Sequence, residues 1–469
     1  MSSNDSSATG LLGYGAYIPR HRLSRAAIGE ALGTTAGKGA RSVASYDEDS
    51  TSMGVEAARR ALAGAIRPGA IHFATSSPAY ADKTNAAAIH AALGLGHRGF
   101  AVDVAGSVRG ATGAWRAAAA GGGLAVLADV RTGRPGSADE TQGGDGAAAF
   151  LFGDGGGVLA EILAEESATA EFLDRWRVAG EPSSHVWEER FGVEVYLPLI
   201  RDAAARALDA AGVEQPDHVI VSSPHTRAAR TAARTFGLER LAGGVAESIG
   251  YAGAADAALA LADVLDRAAP GETILVLLAA DGCDATALRT TDALVAYREG
   301  RDSVVDQLDA ARDVSYPAFL TWRGMLEREP PRRPEPDRPA GPPAARAEAW
   351  KFAFVGSRCD ACGRVHLPPR RVCAGCGAVD EMSPAPLADD RATVATFTID
   401  RLAYSPSPPV IDVVVDYDAG GRFCCQVTDA APDEITIGDR IEMTFRRFYT
   451  AGGVHNYFWK ARPIAAGED

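Results

Sequence analysis

The feature that most constrains this chain is an internal repeat. Ile71-His-Phe-Ala-Thr-Ser-Ser-Pro78 returns as Val219-Ile-Val-Ser-Ser-Pro224. The succession of turn, alanine-rich helix, glycines, apolar strand and aspartate over residues 105–129 returns over residues 249–281, with Pro-Gly-Glu in place of the glycines. Self-similarity at this scale means one supersecondary unit used twice. Each copy alternates strand-like and helix-like segments, so the expected class is α/β, with two similar halves packed about a pseudo-twofold axis. Functional residues are then expected at corresponding turns, with the site between the halves.

In the first copy, residues 11–18, 70–76, 100–104 and 145–154 read as strands. Helices are expected from Ser24, over residues 53–62 and over residues 85–93, where apolar positions recur at helical spacing. The acids of Tyr46-Asp-Glu-Asp-Ser50 precede the second of these helices and are expected to cap it. The stretch Asp103-Val-Ala-Gly-Ser-Val-Arg-Gly-Ala-Thr-Gly113 turns from a strand through small residues into a helix. Such a turn aims one side chain, here Ser107, at a helix N-terminus whose free N–H groups stabilise an oxyanion or thiolate, which is where a nucleophile belongs. The same small residues equally suit a close strand–helix crossing with no chemical role. Residues 145–154 are bounded by glycines but lack the Lys-Ser/Thr of a phosphate-binding loop.

The length of 469 residues suits roughly two or three domains, and 46% hydrophobic residues supply their cores. A net charge of −14 disfavours nucleic acid or an anionic membrane as the main partner. Residues 1–10 carry neither a basic stretch nor an apolar core, and no apolar run approaches the ~18 residues that cross a bilayer, so a cytoplasmic protein without membrane contact is expected. Residues 326–349 are rich in Pro, Arg and Ala and read as an exposed interdomain linker.

Four of the seven cysteines form two knuckles, Cys359-Asp-Ala-Cys362-Gly and Cys373-Ala-Gly-Cys376-Gly. Each pair binds one ion through two thiolates while the glycine allows the tight turn, so Cys359, Cys362, Cys373 and Cys376 are the expected ligands of a closed, structural zinc. His366 lies between the knuckles, outside a complete shell. Five short strands separated by Gly, Pro and Asp turns follow, over residues 392–399, 410–417, 422–427, 440–447 and 456–462, a pattern that suits a small OB-type barrel. A protein or acyl-carrier partner fits this acidic barrel better than nucleic acid does.

Residues up to about 325 resemble the thiolase superfamily, in particular archaeal-type HMG-CoA synthases and ketoacyl-ACP synthase III. The resemblance rests on Gly13-Tyr-Gly-Ala-Tyr-Ile-Pro-Arg20, on Tyr46-Asp-Glu-Asp-Ser50 with its helix, on Gly144-Asp-Gly-Ala-Ala-Ala-Phe150, on residues 261–271 with Ile274-Leu-Val276, and on residues 316–324. Residues 350–465 resemble the zinc-ribbon/OB domain that accompanies such enzymes, through Arg358-Cys-Asp-Ala-Cys-Gly363, His366-Leu-Pro-Pro-Arg370 and Val394-Ala-Thr-Phe-Thr398. The resemblance implies a duplicated, five-layer αβαβα thiolase fold, then a rubredoxin-like zinc ribbon and an OB barrel. The implied divisions are 1–165 and 166–325 for the two halves, 326–349 for the linker, 350–385 for the ribbon and 386–469 for the barrel. It also implies a homodimer, or a heteromer with a thiolase-fold paralogue.

Family members attack an acyl-CoA thioester with a cysteine at the central turn, and this sequence has Ser107 there. In the family's His-containing segment the chain has Ser222-Ser-Pro-His-Thr-Arg227, which puts Ser222 at the usual histidine and His225 three positions on. The asparagine of the second turn aligns with Tyr251, and the acid of HMG-CoA synthases aligns with Ser76. Arg227 stands where a contact to a CoA phosphate is implied, and a surface salt bridge suits it equally. Three readings follow. One is an enzyme on acyl-CoA or acyl-carrier thioesters, with Ser107 as acyl acceptor or with Tyr251 and His225 as acid and base of a noncovalent aldol or retro-aldol step, like the cysteine-free thiolase-like C–C lyases that work with zinc-ribbon/OB partners. The second is a catalytically silent subunit that binds acyl-CoA or scaffolds an active partner. The third makes Ser107, Ser222 and Tyr251 packing residues only.

Overall fold

The computed structural model describes residues 9–35, 37–63, 66–237, 240–241, 245–334 and 336–464, so residues 1–8 lie outside the described residues. Among these, the residues up to Ala44, Asp49–Ala87 and His97–Tyr316 form one compact unit. Ser45–Glu48, Ala88–Gly96 and the residues from Pro317 onward form the other.

The larger unit is built on one mixed, nine-stranded sheet. Its strands are β1 (Thr9–Tyr17), β2 (Ala70–Thr75), β3 (Phe100–Ala105), β4 (Leu124–Asp129) and β5 (Gly146–Asp154) of the first half, and β6 (Ala160–Thr169), β7 (His218–Ser222), β8 (Thr273–Leu278) and β9 (Gly282–Thr290) of the second. They lie in the order β7-β8-β9-β6-β1-β5-β4-β2-β3. The repeat is visible in the register: β2 runs parallel to β4 as β7 runs parallel to β8, and β4 is antiparallel to β5 as β8 is to β9. The two halves join where β1 meets β6, Leu11 opposite Ala160. Among the described residues, one parallel bridge, Val219 to Leu241, stands where β3 stands in the first half.

The longer helices that pack on this sheet include α1 (Ser50–Leu62), α2 (Gly110–Gly121), α3 (Glu189–Ala211), α4 (Thr226–Ala233) and α5 (Asp256–Leu265). Helix α1 covers β1, β4 and β5 from one side, while α2 and α5 fill the middle and α3 covers β6, β8 and β9. The alanines explain the close packing: Ala114 and Ala118 of α2 are fully buried, and one bulky side chain between them, Trp115, sits edge-on to Phe150 and Phe152 at 5.2 and 4.7 Å. A helix faced with small residues can pack in a layer that a leucine-rich helix would overfill.

In the second unit, Val355–Cys359 pairs with Val365–His366 and with Met382–Pro386 to make the zinc ribbon. The barrel follows as β10 (Ala392–Asp400), β11 (Val410–Tyr417), β12 (Arg422–Gln426), β13 (Arg440–Ala451) and β14 (Val454–Pro463), in the order β12-β11-β10-β13-β14. A parallel bridge between Val427 and Ala461 draws its two edges together. The linker holds two short helices, Gly341–Arg346 and Glu348–Lys351, the first begun by prolines in its opening turn, where their missing N–H groups cost nothing.

The acids before α1 divide their labour, against the expectation that all of them cap it. Only Asp49 caps, accepting from the Ser52 amide at 2.9 Å while Ser52 reciprocates. Asp47 and Glu48 belong to the second unit, where they are buried with Arg446 and Lys460: Asp47 accepts from Lys460 Nζ at 2.9 Å and Thr428 Oγ1 at 3.0 Å, and Glu48 lies 2.6 Å from Arg446. Burial alone would raise the Asp47 carboxyl, but Lys460 and Arg446 outweigh it and hold the group well below the usual carboxylate range. Nothing in the sequence signals this, because the partners lie some four hundred positions away.

Candidate active site and zinc centre

Parallel strands deliver their carboxyl ends to one edge of a sheet, and side chains that act on ligands gather there. Here those ends are Thr75, Ala105 and Asp129 in the first half and Ser222 and Leu278 in the second. After β3, Gly106 takes a positive φ of 111° and the chain turns into α2. Gly110 is also forced, since a Cβ there would lie 2.7 Å from the Val104 carbonyl oxygen. Ser107 stands exposed on this turn, with its Oγ accepting from the Arg109 amide at 3.1 Å. Among the described residues no acid or histidine hydrogen-bonds to it, so nothing there takes its proton.

The polar centre lies instead around Asp129. Its fully buried carboxylate accepts from Thr75 Oγ1, the amides of Ser76, Ser77 and Ala254, and the hydroxyls of Ser76 and Ser77, at 2.7–3.1 Å. Gly253 is required beside it, because a Cβ would meet Asp129 Oδ2 at 2.0 Å. Arg131 donates to Ser76 Oγ at 2.9 Å, and its guanidinium carbon lies 5.7 Å from the centroid of the Tyr251 ring. The Tyr251 backbone is pinned by its amide on Gln142 O at 2.8 Å and its carbonyl on the Gly144 amide at 3.0 Å. Its hydroxyl is buried and has no hydrogen-bond partner among the described residues. Burial pushes that hydroxyl well above the usual phenol range, Asp256 adds to the rise and Arg131 opposes it, so the group stays protonated.

Ser222, at the end of β7, donates to Asp256 Oδ2 at 2.6 Å, and the Ala252 amide holds the other oxygen at 3.0 Å. Burial raises the Asp256 carboxyl, although both of these hydrogen bonds act against the rise. Tyr251 and Asp256 are thus electrostatic neighbours, and Ser222 joins them through Asp256. His225 does not. It caps α4, with Nδ1 accepting from the Ala228 amide at 3.0 Å and Nε2 against the Glu189 carbonyl at 3.0 Å, so both ring nitrogens are committed and the acid–base role expected of it has no free nitrogen. Arg227 forms an exposed ion pair with Glu189 at 3.0 Å. Arg109 makes a bidentate pair with Asp284 at 2.9 Å. Cys283 is buried and, mainly by that burial, pushed up to about 12, an inert thiol.

In the ribbon, the four sulfurs of Cys359, Cys362, Cys373 and Cys376 lie within 4.8 Å of one another, with Cys359–Cys376 at 3.6 Å and Cys362–Cys373 at 3.5 Å. A tetrahedron of thiolates ~2.3 Å from zinc has edges of ~3.8 Å, so the cage fits that ion. Gly363 and Gly377 take the positive φ that each knuckle requires, and the Gly375 amide points at Cys373 Sγ at 3.3 Å. His366 Nε2 lies 3.4 Å from the same sulfur, as a partner of a ligand.

Comparison with known proteins fixes the family. The hydroxymethylglutaryl-CoA synthase of Archaeoglobus fulgidus is 32% identical over 344 residues, which span 68% of this chain and 99% of that protein. The chain belongs to the hydroxymethylglutaryl-CoA synthase family. The synthase of Methanopyrus kandleri is 30% identical over 69% of this chain and 99% of its own length. In three dimensions, an HMG-CoA synthase complexed with CoA matches with a TM-score of 0.59 at 16% identity, over 67% of this chain and 90% of that one. The 3-oxoacyl-(acyl carrier protein) synthase III of Pseudomonas aeruginosa PAO1 matches with a TM-score of 0.54 at 23% identity, over 61% and 99%. These two establish the thiolase-type fold. Residues 352–380 match the ChsH2 rubredoxin-like zinc ribbon domain, and residues 386–446 the ChsH2 C-terminal OB-fold domain. The ribbon therefore holds a structural zinc, which ties its two knuckles together. No helix among the described residues is long and apolar enough to cross a membrane.

Against the synthase family, the four positions singled out in the sequence separate into two groups. Tyr251 and Ser222 share the Asp129–Arg131–Asp256 neighbourhood, whereas Ser107 and His225 are held by local backbone amides. Asp129, Arg131 and Asp256 were not singled out. The one signal that pointed to Asp129 was its place at the end of a repeated strand.

Proposed function

We propose that this synthase-family protein makes or breaks a carbon–carbon bond next to a CoA or carrier thioester without forming an acyl-enzyme. The observation that carries the reading is the buried hydroxyl of Tyr251, without a hydrogen-bond partner among the described residues, on a ring whose centroid lies 5.7 Å from the Arg131 guanidinium carbon. A buried donor with no acceptor is costly in the resting protein, and an incoming carbonyl oxygen removes the cost. The thioester oxygen is that acceptor in our reading. As the bond beside it forms or breaks, negative charge collects on the oxygen, where Tyr251 donates and Arg131 adds its field. In the cleaving direction, the 3-hydroxyl proton passes through Ser222 to Asp256, whose proton affinity is raised by burial. The electrons of the Cα–Cβ bond move onto the thioester as an enolate, the carbonyl product leaves, and the proton returns to Cα. The HMG-CoA synthase of the same fold that is complexed with CoA supports CoA as the carrier of the substrate.

Ser107 is a spectator in this scheme. Intact-protein mass spectrometry with a panel of 3-hydroxyacyl-CoAs tests it: carbonyl product and shortened acyl-CoA are expected with no acyl adduct on the protein, and an adduct lost in Ser107→Ala refutes it. A second reading, a silent subunit that binds acyl-CoA or scaffolds an active thiolase-fold partner, is favoured by the lack, among the described residues, of an acid or histidine hydrogen-bonded to Ser107. It predicts thioester binding without turnover until that partner is added. Pairing as a homodimer or with such a paralogue belongs to the proposal and is checked by light scattering.

A further inference from the structure

We propose that the carbonyl compound exchanged in this reaction is a free, apolar aldehyde or ketone whose alkyl chain lies in a small cavity between α2 and α5. The inference rests on the reading of this site as one for carbon–carbon chemistry beside a thioester. The cavity has a volume of about 50 Å³. By the same measure one water needs about 10–15 Å³, so the space suits a chain of about three or four carbons.

Its walls explain both its presence and its character. Ala111 of α2 and Ala254, Ala257 and Ala258 around the start of α5 line it with single methyl groups. One turn further along each helix, Trp115 and Leu261 line it too. The large side chains hold the helices apart where the small ones cannot fill the space, and a gap lined by hydrocarbon stays dry and takes apolar guests. Thr112 and Thr286 also line it, each with a methyl as well as a hydroxyl group. Asp284 brings no free charge to the wall, because Arg109 pairs with both of its oxygens at 2.9 Å and Ser167 Oγ donates to one of them at 2.6 Å.

The cavity adjoins the groups that handle the proton. Ala257 follows Asp256 in the chain, and Leu278, another of the walls, is the neighbour of Ser222 in the register of β7 and β8. Leu127, two positions before Asp129 on β4, shares that residue's face of the strand and lines the cavity from the other half. In the cleaving direction the 3-hydroxyl gives its proton to Ser222 and Asp256 and becomes the carbonyl oxygen of the departing molecule. That oxygen therefore stands beside the cavity, and the substituent on the same carbon enters it, while the thioester half stays with Tyr251. A short alkyl chain is all the space holds, so the partner is a free small molecule and not a second carrier-bound acyl group.

Calorimetric titration of the full chain with CoA thioesters, paired with assay of the released carbonyl compound, tests the assignment. 3-Hydroxyhexanoyl-CoA carries two more methylenes beyond the hydroxyl than 3-hydroxybutyryl-CoA, so wild type is expected to bind it about tenfold tighter, and to bind 3-hydroxydecanoyl-CoA no tighter than that. Cleavage of the hexanoyl compound gives butanal and acetyl-CoA. Ala257→Leu is expected to cut the preference to about twofold or less, and Leu261→Ala to move the best chain to greater length; opposite shifts from the two variants separate a filled or enlarged cavity from damage to the fold. Equal binding of the butyryl and hexanoyl compounds by wild type overturns the inference whatever the variants do. A preference for 2-propyl-3-hydroxybutyryl-CoA, which carries its chain on Cα, that is lost in Ala257→Leu assigns the cavity to the acyl half and overturns it too. Chain-length preference without release of butanal would leave the cavity's role in binding and remove the reaction, release of carbonyl product without the preference would do the reverse, and failure to bind any thioester ends both.

Discussion

The Tyr251 hydroxyl leads to an unusual expectation: removing it makes the protein more stable and less active. A buried hydroxyl without a partner costs about 1–3 kcal/mol. Tyr251→Phe deletes the oxygen and keeps the ring, whose packing against Arg131 stays in place apart from a modest change in the cation–π contact. The net expectation is a gain of about 1 kcal/mol in the larger unit. The chain has two units, so differential scanning calorimetry, which resolves separate transitions, is the suitable assay. Thioester chemistry, assayed alongside, falls by about a hundredfold or more, the size of losing one donor to a developing oxyanion. A variant less stable than wild type by 1 kcal/mol or more, by the same measure, refutes the claim that the hydroxyl rests unsatisfied. A stabilised variant with full activity refutes its role.

Ser107→Ala is expected to change stability by less than about 0.5 kcal/mol and activity by less than about threefold, because its Oγ meets solvent and a single amide; matched melts and initial rates check this. Asp47→Asn breaks a buried ionic network and is expected to cost the second unit about 3–5 kcal/mol, read from its calorimetric transition. The Asp47 carboxyl is held below its unfolded value, so its contribution is full above about pH 4 and fades as the pH falls toward the depressed value; the acid limb of the second unit's stability should therefore flatten in the variant. Chelation is expected to remove one zinc per chain and to unfold the ribbon, while the larger unit's transition stays put; elemental analysis with calorimetry reads both.

The fold was legible because its cause is periodic. The Ser-Ser-Pro strand ends recur, as do the alanine-rich helices at 110–121 and 256–265, and a repeat is a local pattern that needs no knowledge of contacts. The zinc cage was equally open, since both knuckles are contiguous in sequence. The centre around Tyr251 was half legible. Tyr251 stood out by its place after Gly250, but its neighbours Asp129 and Arg131 come from the end of β4 and the turn after it, more than a hundred positions away, and Asp256 from the start of α5, so only folding brings them together. His225 was ambiguous for a physical reason: a histidine two residues before an arginine, at a strand-to-helix turn, offers the same letters whether it caps the helix, as this one does, or moves protons. The Asp47 network was invisible, because acids before a helix have a ready local explanation that holds only for Asp49.

The most direct measurement of the central claim needs no knowledge of the carbonyl substrate. Wild type, Ser107→Ala and Tyr251→Phe are incubated with a short acyl-CoA in deuterated water, and exchange at Cα is followed by mass spectrometry. Enolate formation stabilised by Tyr251 predicts deuterium uptake with wild type and Ser107→Ala and none above background with Tyr251→Phe. Uptake that survives in Tyr251→Phe but disappears with Ser107→Ala would contradict the account and return the chemistry to the serine.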